Sequence, residues 1–365
     1  MEMDFYDYFL SWLWTIEPIK LHKLVEAFGG AKNLFHAGSH ELSRLEAAHR
    51  NAILKVKQKD ELYRIWENRE RESFEFISWR NERYPKRLLE LKDYPYGIYI
   101  EGSISNIISG DRPVVAMVGA RNCTEYGREL AYKTAVNLAK NRIHVVSGLA
   151  GGIDGAGHRG CLDGGGYTLG ILGSGIHTIY PRENYDLYIQ MKKRGGIMSE
   201  YPPDLKPMSY LFPRRNRMIS VLADFVLVVE AKEKSGSLIT VDFALEQGRD
   251  IGAVPGRPCD LLSSGCNYLL QQGAKCILSA DDILEELFDT MEMKKVIKND
   301  AEVNKDLGLA PKEKIVYSCL RLEPIFIDEV LCRLNMPVWE CIQILTELEI
   351  KGLIRQNPHQ YYYRI

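Results

Sequence analysis

Residues 209–240 read SYLFPRRNRMISVLADFVLVVEAKEKSGSLIT. The stretch opens on Arg214, Arg215 and Arg217 around Asn216, passes through an apolar helical turn, and enters Phe225 to Val229. That unbroken apolar run has the character of a strand buried on both faces. It closes on Lys234-Ser235-Gly236-Ser237, a turn leading into another helix. A buried strand bounded by a cationic loop and a Gly/Ser turn is how an open parallel sheet builds an anion site. Such sheets bind ligands in the loops at the carboxyl ends of their strands. Guanidinium forks and free helix N-terminal N–H groups both suit phosphate.

Upstream the same alternation repeats. Val114 to Val118 is a β-branched strand running into Gly119-Ala120-Arg121-Asn122-Cys123-Thr124, with a helix over Tyr126 to Lys140. His144 to Val146 runs into Ser147-Gly148-Leu149-Ala150-Gly151-Gly152-Ile153-Asp154. Tyr167 to Leu172 runs into Gly173-Ser174-Gly175 and then Tyr180-Pro181-Arg182-Glu183-Asn184-Tyr185. Tyr99-Ile100, Gly196 to Ser199, Asp250 to Val254 and Lys275 to Ile277 supply the remaining strands. Continuous apolar strands alternating with helices predict an α/β fold with a parallel sheet covered on both faces.

Four glycine-bearing or cationic loops therefore converge on one sheet edge. Small residues after the strands let backbone N–H groups approach a phosphate closely. The segment Gly155-Ala156-Gly157-His158-Arg159-Gly160 fits GxGxxG by count, but it does not directly follow a strand, which the dinucleotide fingerprint requires. No GxxxxGK[ST] occurs either, so no nucleotide cofactor and no metal are expected. Asp154 and His158, at i and i+4, are read as a helix cap and a loop support rather than a catalytic pair.

The flanks differ in texture. Phe5, Phe9, Trp12 and Leu13, then Leu21, Leu24, Val25 and Phe28, recur at helical spacing, so residues 1 to about 75 read as short helices packed on a core of their own. A helix-hairpin-helix-like nucleic-acid module is the alternative there, without a basic stripe to support it. After Leu287 a charged segment reads as a linker. Pro311 to Leu320, Ile327 to Leu334 and Val338 to Ile350 then read as three helices, with a hairpin over 352–363, which together make a winged helix. Its third helix carries Glu340, Glu347 and Glu349 and no Lys or Arg. Major-groove docking needs basic flanks, so protein contact or self-association is the expected role.

The 365 residues allow two or three domains. A net charge of -2 leaves no basic coat, so any phosphate binding must come from a local cluster. The eight cysteines form no CxxC pair and read as reduced core residues. The acidic, aromatic N-terminus lacks a signal-peptide pattern, and no apolar run nears the roughly 18 residues of a span. A cytoplasmic protein without membrane contact is expected.

Taken together, VGARN, SGLAGGID with His158, LGSGIHTIYPREN, SEYPP, FPRRNRMIS, EAKEKSGSLIT, ALEQGR and AVPG resemble, in order, the DNA processing protein A (DprA/Smf) family over about residues 80–360. The resemblance implies an extended Rossmann-like fold that binds single-stranded DNA without sequence preference, forms a homodimer through that domain, and delivers the strand to the RecA recombinase in transformation and recombination. Single-strand binding protein is a further implied partner; catalysis is not implied. The chain then divides into a SAM-like helical domain (1–75), the Rossmann-like DNA-binding domain (76–288), a linker (289–310) and the winged helix (311–365).

By position, Arg121 matches the family's phosphate-loop arginine, and Arg182 stands where a DNA-contacting lysine is common. Tyr185 stands where an aromatic stacks on a base, and Arg214, Asn216 and Arg217 match the FPxRNR motif. The DNA-binding set is Gly119, Ala120, Arg121, Asn122, Thr124, Gly148, Gly151, Gly152, Asp154, Gly175, Arg182, Asn184, Tyr185, Arg214, Arg215, Asn216, Arg217, Ser235, Gly236 and Ser237. The chain departs from the pattern in reading GAR for GSR and Gly157-His158 for AH. A cationic groove with aromatic platforms is the chemistry of single-strand binders.

Two other readings compete. A nucleotide phosphoribohydrolase-like enzyme would use a similar Rossmann variant, but its PGGxGTxxE turn is replaced here by Ser235-Gly236-Ser237-Leu238-Ile239-Thr240. A transcription regulator would act through the winged helix, which the acidic third helix disfavours.

Overall fold

Nine strands join in one sheet in the first of the two units into which the chain divides, Met1–Leu287; the second is Phe288–Ile365. The computed structural model describes residues 2–288, 310–320, 325–334, 336–356 and 361–364. The strands are β1 (Glu75–Ser78), β2 (Gly97–Gly102), β3 (Val114–Val118), β4 (His144–Ser147), β5 (Thr168–Ile171), β6 (Gly196–Ser199), β7 (Phe225–Val228), β8 (Asp250–Ala253) and β9 (Lys275–Cys276). Their order is β1-β2-β6-β5-β4-β3-β7-β8-β9. From β6 to β9 every pairing is parallel, for example Val115 opposite Phe225 and Val114 opposite His144. β1 and β2 differ from the expected parallel sheet: β2 runs antiparallel to both β1 and β6. No long helix separates β1 from β2, and without a crossover two neighbouring strands can only pair antiparallel.

The helices of this unit include α1 (Glu2–Ser11), α2 (Pro18–Ala27), α3 (Ala31–His36), α4 (Ser39–Leu42), α5 (Ala47–Lys57), α6 (Asp60–Glu67), α7 (Ser105–Ile108), α8 (Glu125–Lys140), α9 (Ile153–Asp163), α10 (Tyr185–Arg194), α11 (Leu211–Leu222), α12 (Gly236–Glu246) and α13 (Ser264–Gln271). Strand periodicity distributes the sheet between two layers. Val114, Ala116, Val118, Val226 and Val228 pack with Met218 and Leu222 of α11 and Val241 of α12. Val115, Met117, Phe225 and Leu227 pack with Ala131, Ala135 and Leu138 of α8 and Ile153 of α9.

The N-terminal helices share their core with the sheet rather than enclosing one alone. Tyr8, Phe9, Trp12 and Leu13 belong to one buried cluster with Tyr99 of β2, Leu149, Leu172 and Ile197 of β6. Ser11 bonds Tyr99 through their hydroxyls at 2.7 Å, and Ser78 Oγ donates to Asp7 at 2.6 Å. Aromatic residues at helical spacing reveal an amphipathic face, but not which surface covers it.

The GxGxxG-like run lies inside α9, where its glycines allow close packing. A methyl group at Gly160 would overlap the Tyr132 carbonyl of α8, and one at Gly157 would press on Met117 of β3. Two cysteines depart from the expected core placement: Cys259 and Cys276 are exposed, while Cys161, Cys266 and Cys341 are buried.

In the second unit the helices are Pro311–Cys319, Ile327–Arg333 and Val338–Ile350. The expected hairpin is present as β11 (Ile354–Gln356) and β12 (Tyr361–Arg364), and β10 (Ile325–Phe326) adds a third strand in the order β10-β12-β11. The expected linker lies, except for Ala310, outside the described residues. Among the described residues no helix is long and apolar enough to cross a membrane.

Candidate nucleic-acid interface

The chain lays down β3, β4, β5 and β6 toward one side of the sheet, then returns past β3 to place β7 and β8 on the other. Between β3 and β7 the direction of winding reverses, and open parallel sheets form their ligand crevice at that point. A cavity of about 350 Å³ opens there, lined by Gly119, Arg121, Asp154, Phe212, Asn216 and Ser235–Ser237. It adjoins two others along the same edge. One, of about 390 Å³, is bordered by Asn122, Lys232, Lys234 and Leu261; the other, of about 170 Å³, by Gly151, Tyr180, Pro181 and Glu183. Arg121 borders all three.

The Gly119–Thr124 loop carries Arg121 across this edge. Gly119 has no room for a side chain, because a Cβ would meet Ile153 and the Glu230 carbonyl. Gly152 (φ +69°) sits against the Ala120 and Arg121 carbonyls, and Ile153 N–H donates to Ala120 O at 3.2 Å. The loops after β3 and β4 are therefore in contact through a position only glycine can occupy. Thr124 caps α8 by accepting from Gly127 N–H at 3.0 Å. Arg121 is exposed, with its guanidinium 4.9 Å from the Phe212 ring centre. Phe212 in turn meets Tyr180 at 5.6 Å between centroids.

The arginine motif departs from the expectation of a cationic loop: it forms the first turns of α11, and two of its cations are buried. Arg217, 3% exposed, donates through Nη1 and Nη2 to the two oxygens of Glu200, each at 2.8 Å. Its Nε lies 2.8 Å from the Asp93 carboxylate as an ion pair. Burial pulls the Arg217 pKa down, and Glu200 and Asp93 overcome that and hold it above its ordinary value. Arg215 donates to the carbonyls of Gly148, at 2.9 Å, and Ile171. Burial lowers its pKa to about 10 against the pull of Asp154. Arg214 is half-buried and donates to Trp14 O at 2.9 Å. Arg214 and Arg217, at i and i+3, share one helix face and Arg215 lies on another. The loop after β4 and β5 take up Arg215, and Glu200 after β6 with Asp93 takes up Arg217.

Several other expected residues are braces. The Asp154 carboxylate accepts from Gly148 N–H at 3.0 Å and Ala150 N–H at 3.4 Å, so it holds the loop after β4 rather than capping α9, whose N-cap is Gly152. Burial raises its pKa, with Arg215 and these bonds opposing. Asn184 is buried and donates to the Leu149 and Ala150 carbonyls. Asn216 donates to Gly236 O at 3.2 Å, tying α11 to the start of α12. Ser235 caps α12, and its hydroxyl bonds that of Ser237 at 2.7 Å. Gly175 is buried against the Pro202 and Pro203 carbonyls and gives its N–H to Leu205 O. His158 bonds Thr168 Oγ1 of β5 at 2.6 Å rather than supporting the loop. Burial, with Arg215 and Arg159, lowers its pKa to about 3.

The exposed groups on the edge thus include Arg121, Asn122, Thr124, Arg182, Tyr185, Lys232 and Lys234 beside the carboxylates Glu183 and Glu233, with Tyr180 44% and Leu261 73% exposed. Lys232, Lys234, Tyr180, Phe212 and Leu261 stand outside the sequence-derived set. Lys232-Glu233-Lys234 follows a predicted strand, and that position marked them. Leu261 lies in a coil without periodicity and carried no signal.

Residues 75–288 match the family described as DNA recombination-mediator protein A, and 302–360 match the DprA winged helix domain. The DNA processing protein DprA of Bacillus subtilis is 43% identical over 207 residues, covering 57% of this chain and 69% of the relative. The X-ray structure of DNA processing protein A from Streptococcus pneumoniae superposes with a TM-score of 0.66 at 32% identity, over 78% of this chain and 97% of that one. DNA processing protein A from Helicobacter pylori, whose structure concerns its single-stranded DNA binding mode, gives a TM-score of 0.54 at 29% identity, over 60% and 97%.

Proposed function

This chain belongs to the DNA recombination-mediator protein A family, and from that premise we propose that it binds single-stranded DNA without sequence preference along the carboxyl edge of its sheet. The observation carrying the proposal is Arg121, exposed, stacked on Phe212, and shared by three adjoining cavities at the point where the winding reverses. In this reading Arg121, Arg182, Lys232 and Lys234 meet phosphates, while Tyr180, Tyr185 and Leu261 offer faces to bases. Stacking is sequence-tolerant because every base has a π-face. Arg215 and Asn216, which line the cavity, brace the site from beneath, while Arg214 and Arg217 anchor α11 to Trp14, Glu200 and Asp93 away from it.

The same reading includes delivery of the strand to RecA in transformation, contact with single-strand binding protein, and a homodimer through the sheet-bearing unit. Tyr268 and Leu278, 52% and 71% exposed around edge strand β9, support such self-association. The reading is of a binding protein rather than an enzyme. The turn that would carry the enzyme's glutamate reads Ser235-Gly236-Ser237-Leu238-Ile239-Thr240 here and holds no carboxylate. For the winged helix, exposed Val338, Trp339 and Ile342 support protein contact over duplex binding.

Binding of labelled oligo-dT across a salt series tests this. Four phosphate contacts correspond to a log–log salt slope of about −3, and Arg121→Ala is expected to lower affinity at least ~10-fold and flatten the slope by about 0.7. Failure of the wild type to bind, with release of free base from a nucleoside monophosphate, would replace the reading with the phosphoribohydrolase one.

A further inference from the structure

We infer that Glu230 is a positioning residue for strand binding: it brackets the Gly119–Thr124 loop at both ends and so sets where Arg121 projects. Glu230 follows β7 and is buried. Its backbone carbonyl accepts the Ala120 N–H at 2.7 Å, on one side of Arg121. Its carboxylate accepts Thr124 N–H at 2.8 Å and Thr124 Oγ–H at 2.5 Å, on the other. The five residues from Ala120 to Thr124 are thus tied to one residue, through its carbonyl at one end and its carboxylate at the other. The fit is close, since a methyl group added at Gly127 of α8 would overlap the Glu230 carboxylate. Hydrogen bonds to an ionised acceptor are about twice as strong as neutral ones, which suits a carboxylate to this task.

The inference rests on the proposed strand binding, and its sign separates it from a plain electrostatic role. A carboxylate beside a polyanion site opposes binding through its field, so neutralising it should tighten binding if the field were its only effect. Positioning demands the opposite.

Oligo-dT binding across a salt series, with melting curves, on full-length wild type, Glu230→Gln, Arg121→Ala and the double variant tests it. Glu230→Gln is expected to weaken binding about 10-fold, ~1.4 kcal/mol, and to flatten the salt slope as Arg121→Ala does. On the Arg121→Ala background it should add less than a twofold effect, because the group it positions is gone. Unchanged or tighter binding in Glu230→Gln, or a loss that adds fully to that of Arg121→Ala, overturns the positioning role while leaving strand binding intact. Absence of binding by the wild type overturns both. Should Glu230→Gln fail to fold, Gly127→Ala displaces the same carboxylate and is held to the same pattern.

Discussion

Arg121 and Arg217 share a residue type and opposite fates. Arg121 stands in solvent over an aromatic ring, and Arg217 is closed in by Glu200 and Asp93. Removing one partner of a buried ion pair leaves the other charge stranded and costs about 3–5 kcal/mol. Arg217→Ala is therefore expected to lower the melting temperature by several degrees, while its remaining folded fraction binds oligo-dT within about twofold of wild type. A melting curve beside a titration at low temperature checks this; a stable variant that no longer binds would place Arg217 in the strand path after all.

Among the elements, the loops after β3 and β4 are locked against each other. Gly152 combines φ +69° and ψ −124° with carbonyls of Ala120 and Arg121 where a Cβ would go. That backbone region is open essentially to glycine alone. Gly152→Ala is expected to separate the two loops, lowering both stability and oligo-dT affinity by at least ~1 kcal/mol each. Equal stability and affinity in that variant would show that the loops do not depend on one another. Gly160, by contrast, serves only the α8–α9 packing, which is why a GxGxxG spacing can occur here without a dinucleotide site.

At the scale of the whole molecule, the sheet buries two histidines in neutral form. Burial lowers His144 to about 4 and His158 to about 3. An unfolded chain takes up a proton on each near pH 6.5, where the folded one does not, so stability rises with pH across this window and falls on acidification. Each histidine contributes up to ~1.4 kcal/mol per pH unit between roughly pH 6 and 4. Asp7 and Asp154, whose pKa values burial raises, act in the opposite direction at the acid end. Thermal melts from pH 7 to 4 should show a steep fall in the wild type and about half that histidine-driven slope in His158→Gln. An unaltered slope would mean that His158 is not held neutral.

Strand positions other than β1 and β10, the loops after them and the three-helix winged unit were legible in the chain, because each depends on neighbours within a few residues: β-branched runs, glycines at turns, apolar spacing. The resemblance carried in those motifs also led to the family. What only the tertiary structure decided is which cations are free. Arg217 lies 17 and 124 residues from the acceptors that hold it, and Arg215 lies 44 from the Ile171 carbonyl. A charge looks the same in sequence whether it faces solvent or a buried carboxylate. The difference is desolvation and partner geometry, which arise only when distant segments meet. Local chemistry therefore determined where the loops of the proposed anion site would lie, and the packing of α11 on the sheet determined that Arg121 is exposed there while Arg217 is buried.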